Sequence, residues 1–366
     1  MPAYKDNATG KWYCKFYYED YEGNSIQKKK MGFDLKREAL EWERDFLENQ
    51  QAQPDMSFDS FLEIYKKDKY PQLRQKTIIT KDNRYKRVLS HFKDTALNKI
   101  TPRDIVRWQN DLIKENLSSR YINEIQNEFS SVLNHAVKFY GLNENPIHKA
   151  GRPKVPNETE EDMRFLTFEN FKRVYAQIDD LKAKASINLL YWTGIRKGEL
   201  LALTLNKIDF KNKTVKINRS LQRIKGKDIV TATKTYESRV IKLPDTTIEV
   251  LKEYINTLYN PKPSDRLFEW EKRFIENGIK IGTERANKLI EEHNAASNDN
   301  IPLIERIHVH GLRHSHASYL INHNINIVLI SKRLGHKNTS ITLDTYSHFY
   351  PTVEDDMLSI MNSEHH

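Results

Sequence analysis

The chain has 366 residues, too many for one ordinary hydrophobic core and enough for two or three domains. A hydrophobic fraction of 38% supports packed cores, while a mean hydropathy of -0.74 and the lack of any apolar run near the roughly 20 residues needed to span a bilayer argue against a helical membrane protein. One cysteine, Cys14, rules out an internal disulfide framework and suits a reducing compartment, and a net charge of +9 favours a polyanionic partner.

The first residues, Met1-Pro2-Ala3-Tyr4-Lys5-Asp6, lack the apolar core of a signal peptide, so a cytoplasmic chain is expected. Up to about Phe33, aromatic and polar residues alternate, as in Lys11-Trp12-Tyr13-Cys14-Lys15-Phe16-Tyr17-Tyr18, between Gly10 and a turn at Glu22-Gly23-Asn24. That period of two predicts a small antiparallel sheet of two or three strands, with Cys14 as a strand residue. Asp34 is the expected cap of a helix over Leu35 to Asn49, with Leu40, Phe46 and Leu47 on its apolar face. A sheet this small needs such a helix packed on it.

After a polar linker at Gln50 to Pro54, the stretch from Phe58 to Tyr140 reads as helical, with starts near Ser57, between Lys76 and Thr80, at Thr101-Pro102 and at Ser118. Thr101 is an N-cap with Pro102 in the first helical position. Gly141 and Asn145-Pro146 close the last of these helices, and Gly151-Arg152-Pro153-Lys154-Val155-Pro156 reads as an extended linker. The charge is concentrated here: Ser57 to Pro156 carries 19 basic and 11 acidic residues, against 9 and 10 in Met1 to Gln53. A local excess of that kind suits phosphate contacts.

The remainder reads as a mixed domain. A helix is expected from Phe168 to about Gln177, then the apolar Ile187 to Trp192, strands at Thr214 to Ile217 and Arg239 to Leu243 around Lys225-Gly226-Lys227, and mostly helices from Thr246 onward. Gly194 can end the helix through Trp192 and expose Arg196 on the following turn. His310 and Arg313, three apart at a helix start, share one face. Gly335 stops the helix through Leu334 and leaves His336 on a loop, and Thr339 or Ser340 can cap a last helix that presents Tyr346. Two arginines, two histidines and a tyrosine are the groups that phosphodiester transfer without metal requires. The tyrosine attacks in line, planar cations meet the charge gathering on the non-bridging oxygens, and an acid protonates the departing oxygen. No carboxylate–histidine spacing supports a metal site.

Taken in order, these motifs resemble those of the tyrosine recombinases, the site-specific recombinases and phage-type integrases. Gly194-Ile195-Arg196-Lys197-Gly198-Glu199-Leu200 matches the family's G-x-R-x-x-E-L stretch, His310-Gly311-Leu312-Arg313 its H-x-x-R, Leu334-Gly335-His336 its L-G-H, and Tyr346 its nucleophile. The resemblance covers essentially the whole chain and implies a mainly α fold with small β elements. Its parts are an arm-type DNA-binding domain at 1–53 (a three-stranded sheet plus helix), a helical SAM-like core-binding domain at 57–150, and a mixed α/β catalytic domain at 160–366.

The resemblance also implies roles. Tyr346 attacks the scissile phosphate to give a 3′-phosphotyrosyl bond and a free 5′-hydroxyl, while Arg196 and Arg313 bind the non-bridging oxygens. His310 exchanges protons with Tyr346, His336 donates a further hydrogen bond, and Glu199 supports the arginine-bearing turn. The family's lysine general acid near a β-hairpin matches Lys234 best, in Thr233-Lys234-Thr235; Lys225 and Lys227, equally near a turn, compete for the role. The covalent intermediate keeps the bond energy, so no ATP, cofactor or obligatory metal is expected. The cationic site is expected to lower the tyrosine below its ordinary pKa of about 10.

In the arm domain Lys11, Lys15, Lys28, Lys29 and Lys30 are the expected DNA contacts, and the helix bearing Glu38, Glu41, Glu43, Asp45 and Glu48 faces away. The implied partners are double-stranded DNA at core and arm attachment sites, further protomers in a homotetramer, a directionality factor and a host DNA-bending protein, all at the bacterial nucleoid. The tail after Tyr350, with Met357-Leu358 and Ile360-Met361, is expected to dock on a neighbouring protomer. Two other functions share parts of the pattern. The small N-terminal domain argues against a type IB topoisomerase, and the intact Arg196, His310, Arg313, His336 and Tyr346 argue against a DNA-binding regulator without cleavage. His314, His316, His323 and His348 match no role and read as structural.

Overall fold

In a computed structural model of the chain, residues 3–7, 9–19, 25–48, 55–156, 163–233, 238–269, 271, 273–297 and 299–347 are described. They fall into two compact units that divide between Glu160 and Glu161. Lys234, His348 and the tail beyond Tyr350 lie outside the described residues.

The first unit begins with strands β1 (Tyr4–Lys5), β2 (Trp12–Glu19) and β3 (Ser25–Phe33), an antiparallel sheet in the order β1-β2-β3, followed by helix α1 (Lys36–Glu48). Period two sends Cys14 and Phe16 into a small core with Ala39 of α1, ringed by Trp12, Tyr18, Phe33, Leu40, Phe46 and Leu47. The helix start differs from expectation. The Glu38 carboxylate, one turn in, accepts from the free amides of Asp34 and Leu35 at 3.2 Å each, while the Asp34 carboxylate pairs with Lys11 at 3.2 Å. Among the acidic residues of α1, Glu43 is buried, because it lies four residues from Ala39 on the same helical stripe.

A helical bundle completes the unit: α2 (Phe58–Lys69), α3 (Gln75–Phe92), α4 (Pro102–Lys114), α5 (Ser119–Phe139) and the short α6 (Ile147–Ala150). Side-chain caps set three of the starts. Ser57 accepts from the Ser60 amide and Ser118 from the Tyr121 amide, while Thr101 and Asp104 form a reciprocal capping box. Phe58, Phe92 and Trp108 pack around Phe129 at the centre, with ring centroids 5.0–5.6 Å from it. Gln109 and Gln126 both donate to the Gly151 carbonyl, at 3.0 and 2.8 Å, and so fix where the linker leaves the bundle.

The second unit runs through α7 (Phe168–Ala176), α8 (Leu181–Thr193), α9 (Lys197–Leu201), β4 (Ile208–Asp209), β5 (Thr214–Ile217), β6 (Arg219–Ile224), β7 (Lys227–Ala232), β8 (Arg239–Lys242), α10 (Asp245–Asn256), α11 (Phe274–Ala296), α12 (Gly311–Asn322), α13 (Ile327–Leu334) and α14 (Thr339–Tyr346). Helix α8 is buried on nearly every side, as its all-round apolar sequence requires. The strands sort into two sheets. β5 pairs with β4 and β8, with Val215 opposite Ile241, and β6 and β7 form a separate hairpin turning at Lys225-Gly226. The strands at 214–217 and 239–242 are thus direct partners, and the Lys225 turn belongs to a hairpin inserted between them.

Candidate active site

The site is assembled from two glycine turns and three helices, α9, α12 and α14. Gly194 ends α8 at φ +65°, and Gly335 ends α13 at φ +70°, both in the left-handed region that side chains rarely adopt. A Cβ on Gly194 would stand 2.6 Å from Leu334 and 2.7 Å from His316, so the turn also needs glycine for close packing against α12 and α13.

Arg196 follows the first turn as the N-cap of α9. Its amide donates to Glu199 Oε2 at 3.0 Å, its Nη1 donates to Oε1 at 3.1 Å, and its Nη2 donates to the Gly335 carbonyl at 3.4 Å. Glu199 is 2% exposed. Burial alone would raise its carboxyl, but hydrogen bonds and charge from Arg239, then from Arg196, outweigh burial and hold it below the usual carboxylate range.

Arg313, 3% exposed, projects from α12 into the space between the two turns. Its Nη1 donates to the carbonyls of Gly194 at 2.6 Å and Leu334 at 2.8 Å, and its Nη2 donates to His336 Nε2 at 2.7 Å. Burial, then Arg196, brings the Arg313 pKa down to about 9, which leaves the guanidinium cationic at neutral pH. Because a guanidinium can only donate, His336 accepts at Nε2 and carries its proton at Nδ1, from which it donates to Thr342 Oγ1 at 2.7 Å. Both ring nitrogens of His336 are therefore engaged within the protein. Burial and the nearby arginines hold its pKa at about 4, so the ring is neutral.

Tyr346 ends α14 and is 1% exposed. Asn338, rather than Thr339 or Ser340, takes the N-cap position of that helix. The histidine bonded to the tyrosine is His314, with Nδ1 and Oη 2.9 Å apart. His310, at the N-cap of α12, instead meets the His314 ring edge-to-face at 4.8 Å. The physical reason is the helix period: His314 stands one turn further along α12 on the same face, where α14 packs. Burial, with His310 and Arg313, lowers His314 to about 4, and burial first, then Arg313 and Arg196, also lowers His310. The expected lowering of the tyrosine is not found. Burial raises the Tyr346 pKa, and the opposing pull of Arg313 and Arg196 is the weaker effect.

The fold thus brings together Arg196, Glu199, Arg313, His336 and Tyr346, with His310 beside them through His314. Lys225 and Lys227 sit at the β6–β7 turn. Of the arm lysines, strand register puts Lys15 opposite Lys29 on the open face of the sheet, with the Lys29 ammonium 4.7 Å from the centre of the Tyr13 ring. Lys28 and Lys30 register with Phe16 and Cys14 on the helix side, and Lys11 is paired with Asp34.

Three participants carried no motif. His314 was marked only by its four-residue spacing from His310. Arg239 shares the inward face of β8 with Ile241, and a polar group on an inward strand face needs a partner; it donates to both Glu199 oxygens at 2.7 and 3.3 Å. Arg333 donates to His316 Nε2 at 3.1 Å and to the Trp192 carbonyl at 2.8 Å, bracing the first glycine turn.

A terminal tyrosine held against histidines and two arginines, on a helical scaffold with a small inserted sheet, defines a tyrosine-type site-specific recombinase. The chain belongs to the phage integrase family, whose model matches residues 164–352, more than half its length. An arm DNA-binding domain model matches 2–50, and an N-terminal SAM-like domain model of phage integrases matches 57–113. The chain is similar to the ICEBs1 integrase of Bacillus subtilis (strain 168), 27% identical over 93% of this chain and 94% of that one. It is also 27% identical to the integrase of Staphylococcus phage L54a, over 74% and 83% of the two chains. Among solved structures, the Tn1549 transposon integrase in complex with a circular intermediate DNA has a similar fold (TM-score 0.67, 17% identity, 84% of this chain and 99% of that one). A lambda integrase tetramer bound to a Holliday junction is similar too (TM-score 0.53, 17% identity, 92% and 96%). The protein is a site-specific integrase of the mobile-element kind.

Proposed function

We propose that this integrase cuts and rejoins double-stranded DNA at attachment sites through a 3′-phosphotyrosyl bond to Tyr346, exchanging strands by way of a four-way junction within a homotetramer. The observation that carries the reading is the placement of Tyr346, bonded to His314 at 2.9 Å and within the electrostatic reach of Arg313 and Arg196. In this reaction Tyr346 Oη attacks phosphorus as the bond to the 5′-oxygen breaks. Arg196, whose guanidinium is the more exposed of the two, binds the non-bridging oxygens, and buried Arg313 supplies fixed positive charge behind them. His310 borders the same space as the proposed proton-exchange partner of Tyr346, and His314, bonded to the tyrosine hydroxyl, can accept its proton directly. His336, which accepts from Arg313 at Nε2, orients that arginine, and becomes a donor to the phosphate only if Nε2 leaves Arg313 and takes up a proton. Lys234 is the proposed acid for the leaving 5′-oxygen. The helical bundle and the second unit each bind core-site DNA, and the arm sheet reads arm sites, with Lys15 and Lys29 as the leading contacts because they share its open face. A directionality factor and a host bending protein complete the assembly, which works in the cytoplasm on the nucleoid. No helix among the described residues is long and apolar enough to cross a membrane.

The test is incubation of the full chain, in EDTA, with DNA from attachment regions of candidate host elements, followed by a denaturing gel. A protein–DNA adduct that vanishes in Tyr346→Phe supports both the nucleophile and the reaction class. Tight, salt-sensitive binding with no adduct on DNA bearing a functional attachment site would replace this reading with that of a DNA-binding regulator.

A further inference from the structure

We infer that Arg239 is a positioning residue for strand cleavage, acting on Arg196 through the buried Glu199 carboxylate and on the Leu334-Gly335-His336 turn through its own contacts. The inference rests on the recombinase reading above and deepens it. Glu199 Oε2 accepts from Arg239 Nη2 at 2.7 Å and from the Arg196 amide at 3.0 Å; Oε1 accepts from Arg196 Nη1 at 3.1 Å and from Arg239 Nη1 at 3.3 Å. One carboxylate thus lies between two guanidinium groups.

The charge count gives this arrangement a purpose. A buried carboxylate paired with Arg196 alone would neutralise the cation that is to meet the phosphate, and would hold it by a single partner. Adding Arg239 leaves the three-residue set with a net positive charge, so Glu199 fixes the orientation of Arg196 without cancelling its attraction for an anion. The side chain of Arg196 remains 27% exposed while those of Glu199 and Arg239 are 1% and 12% exposed, so the surplus charge is presented on the open side.

The same guanidinium reaches the second glycine turn. Arg239 Nε donates to the Arg333 carbonyl at 2.9 Å, and a Cβ on Gly335 would stand 2.8 Å from Nη1 and 3.0 Å from Cζ, so the planar group lies against the bare glycine. Arg196 Nη2 in turn donates to the Gly335 carbonyl at 3.4 Å. Arg239 is therefore a shared reference for Arg196 and for the turn that carries His336. A lysine could keep the charge, but a single ammonium on a flexible stem cannot reproduce the planar fork to the carboxylate together with the Nε–H bond.

A double-mutant cycle on the full chain tests this, using single-turnover adduct formation on DNA that the wild-type protein cleaves, with DNA affinity and melting temperature measured alongside. Arg239→Ala is expected to slow cleavage by about 30-fold while DNA affinity stays within about threefold, and Arg239→Lys is expected to recover little of the rate. In an Arg196→Ala background, adding Arg239→Ala should cost clearly less than it does in the wild-type chain, because one of the two elements it positions is gone. Equal slowing in both backgrounds, or full recovery with lysine, would overturn the inference. If Arg239→Ala does not fold, Arg239→Lys carries the same cycle, since it keeps the charge and removes the fork. A wild-type chain that binds a functional attachment site but forms no adduct would instead count against the recombinase reading, and the two failures are thereby distinguished.

Discussion

Lys15 and Lys29 stand opposite each other as exposed residues on the open face of the arm sheet, whereas Arg313 is 3% exposed and donates to two carbonyls and a histidine. Both sites present cations, and the difference lies in what fixes them. In the arm, Lys15 and Lys29 stand on flexible stems and satisfy no buried group, so either can be lost alone at small cost. In the catalytic unit every buried cation satisfies groups that would otherwise be orphaned, so the charges, the glycine turns and the helix ends stand or fall together. Charge for attraction can sit on a surface. Charge for chemistry must be positioned, and positioning requires burial, which in turn lowers His310, His314, His316 and His336 and raises Tyr346.

The most severe test of that contrast is Gly194→Ala. The backbone is left-handed there, and the new methyl would stand 2.6 Å from Leu334 and 2.7 Å from His316. A loss of about 3 kcal/mol, read by denaturant unfolding of the full chain, is expected from backbone strain and overpacking combined. A loss below about 0.5 kcal/mol, the usual size of a surface substitution, would show that the turn can yield and that the site is less constrained than its packing suggests.

Acidification separates the two regions next. His316 is 1% exposed, and burial, then Arg333 and Arg313, lowers its pKa to about 3. Its folded value lies below its unfolded one, so the neutral ring is favoured by folding. The stability associated with it is complete above pH 6.5 and is lost as pH falls from there toward 3. At pH 5 that loss is about 2 kcal/mol for His316 alone. Residues 1–53 contain no histidine. Hydrogen exchange at pH 7 and pH 5, corrected for intrinsic rates, should therefore show the catalytic unit loosening while the arm sheet is unchanged. Equal loosening in both would remove the histidines as the cause.

The smallest effects belong to the arm. Lys15→Ala and Lys29→Ala should each weaken binding to arm-site DNA and reduce the slope of log affinity against log salt by about 0.9. Lys28→Ala and Lys30→Ala, on the helix side of the sheet, should change the slope less, and Lys11→Ala, already paired with Asp34, least of all. The reverse order in a salt titration would mean that the helix side of the sheet, and not its open face, meets the duplex.

Most signals that depended on neighbours in the chain were legible, with the caps of α1 and α14 as the exceptions. The caps at Ser57, Thr101 and Ser118, the period-two strands of the arm, and the glycines that end α8 and α13 all act within a few residues, and the structure has them where local physics requires. The motif residues were legible for a different reason: their types and order are rare in combination. What could not be read is what depends on contacts between distant segments. Asp34 pairs with Lys11 of the sheet and leaves the free amides to Glu38, the face of α1 that bears Ala39 and Glu43 is covered by the sheet, and β5 found β8 across an inserted hairpin.

The active site shows the same division. Sequence alone determined that Arg196, His310, Arg313, His336 and Tyr346 are present in a workable order, because residue chemistry and spacing are properties of the chain. Only the tertiary structure decided that His314 is the histidine bonded to Tyr346, that Arg239 shares Glu199 with Arg196, and that burial raises the tyrosine more than the arginines lower it. Those outcomes depend on which groups are desolvated together and at what distance. Burial, and proximity across 32 residues for His314 and Tyr346 or 40 for Glu199 and Arg239, are created by packing and have no local signature in the chain.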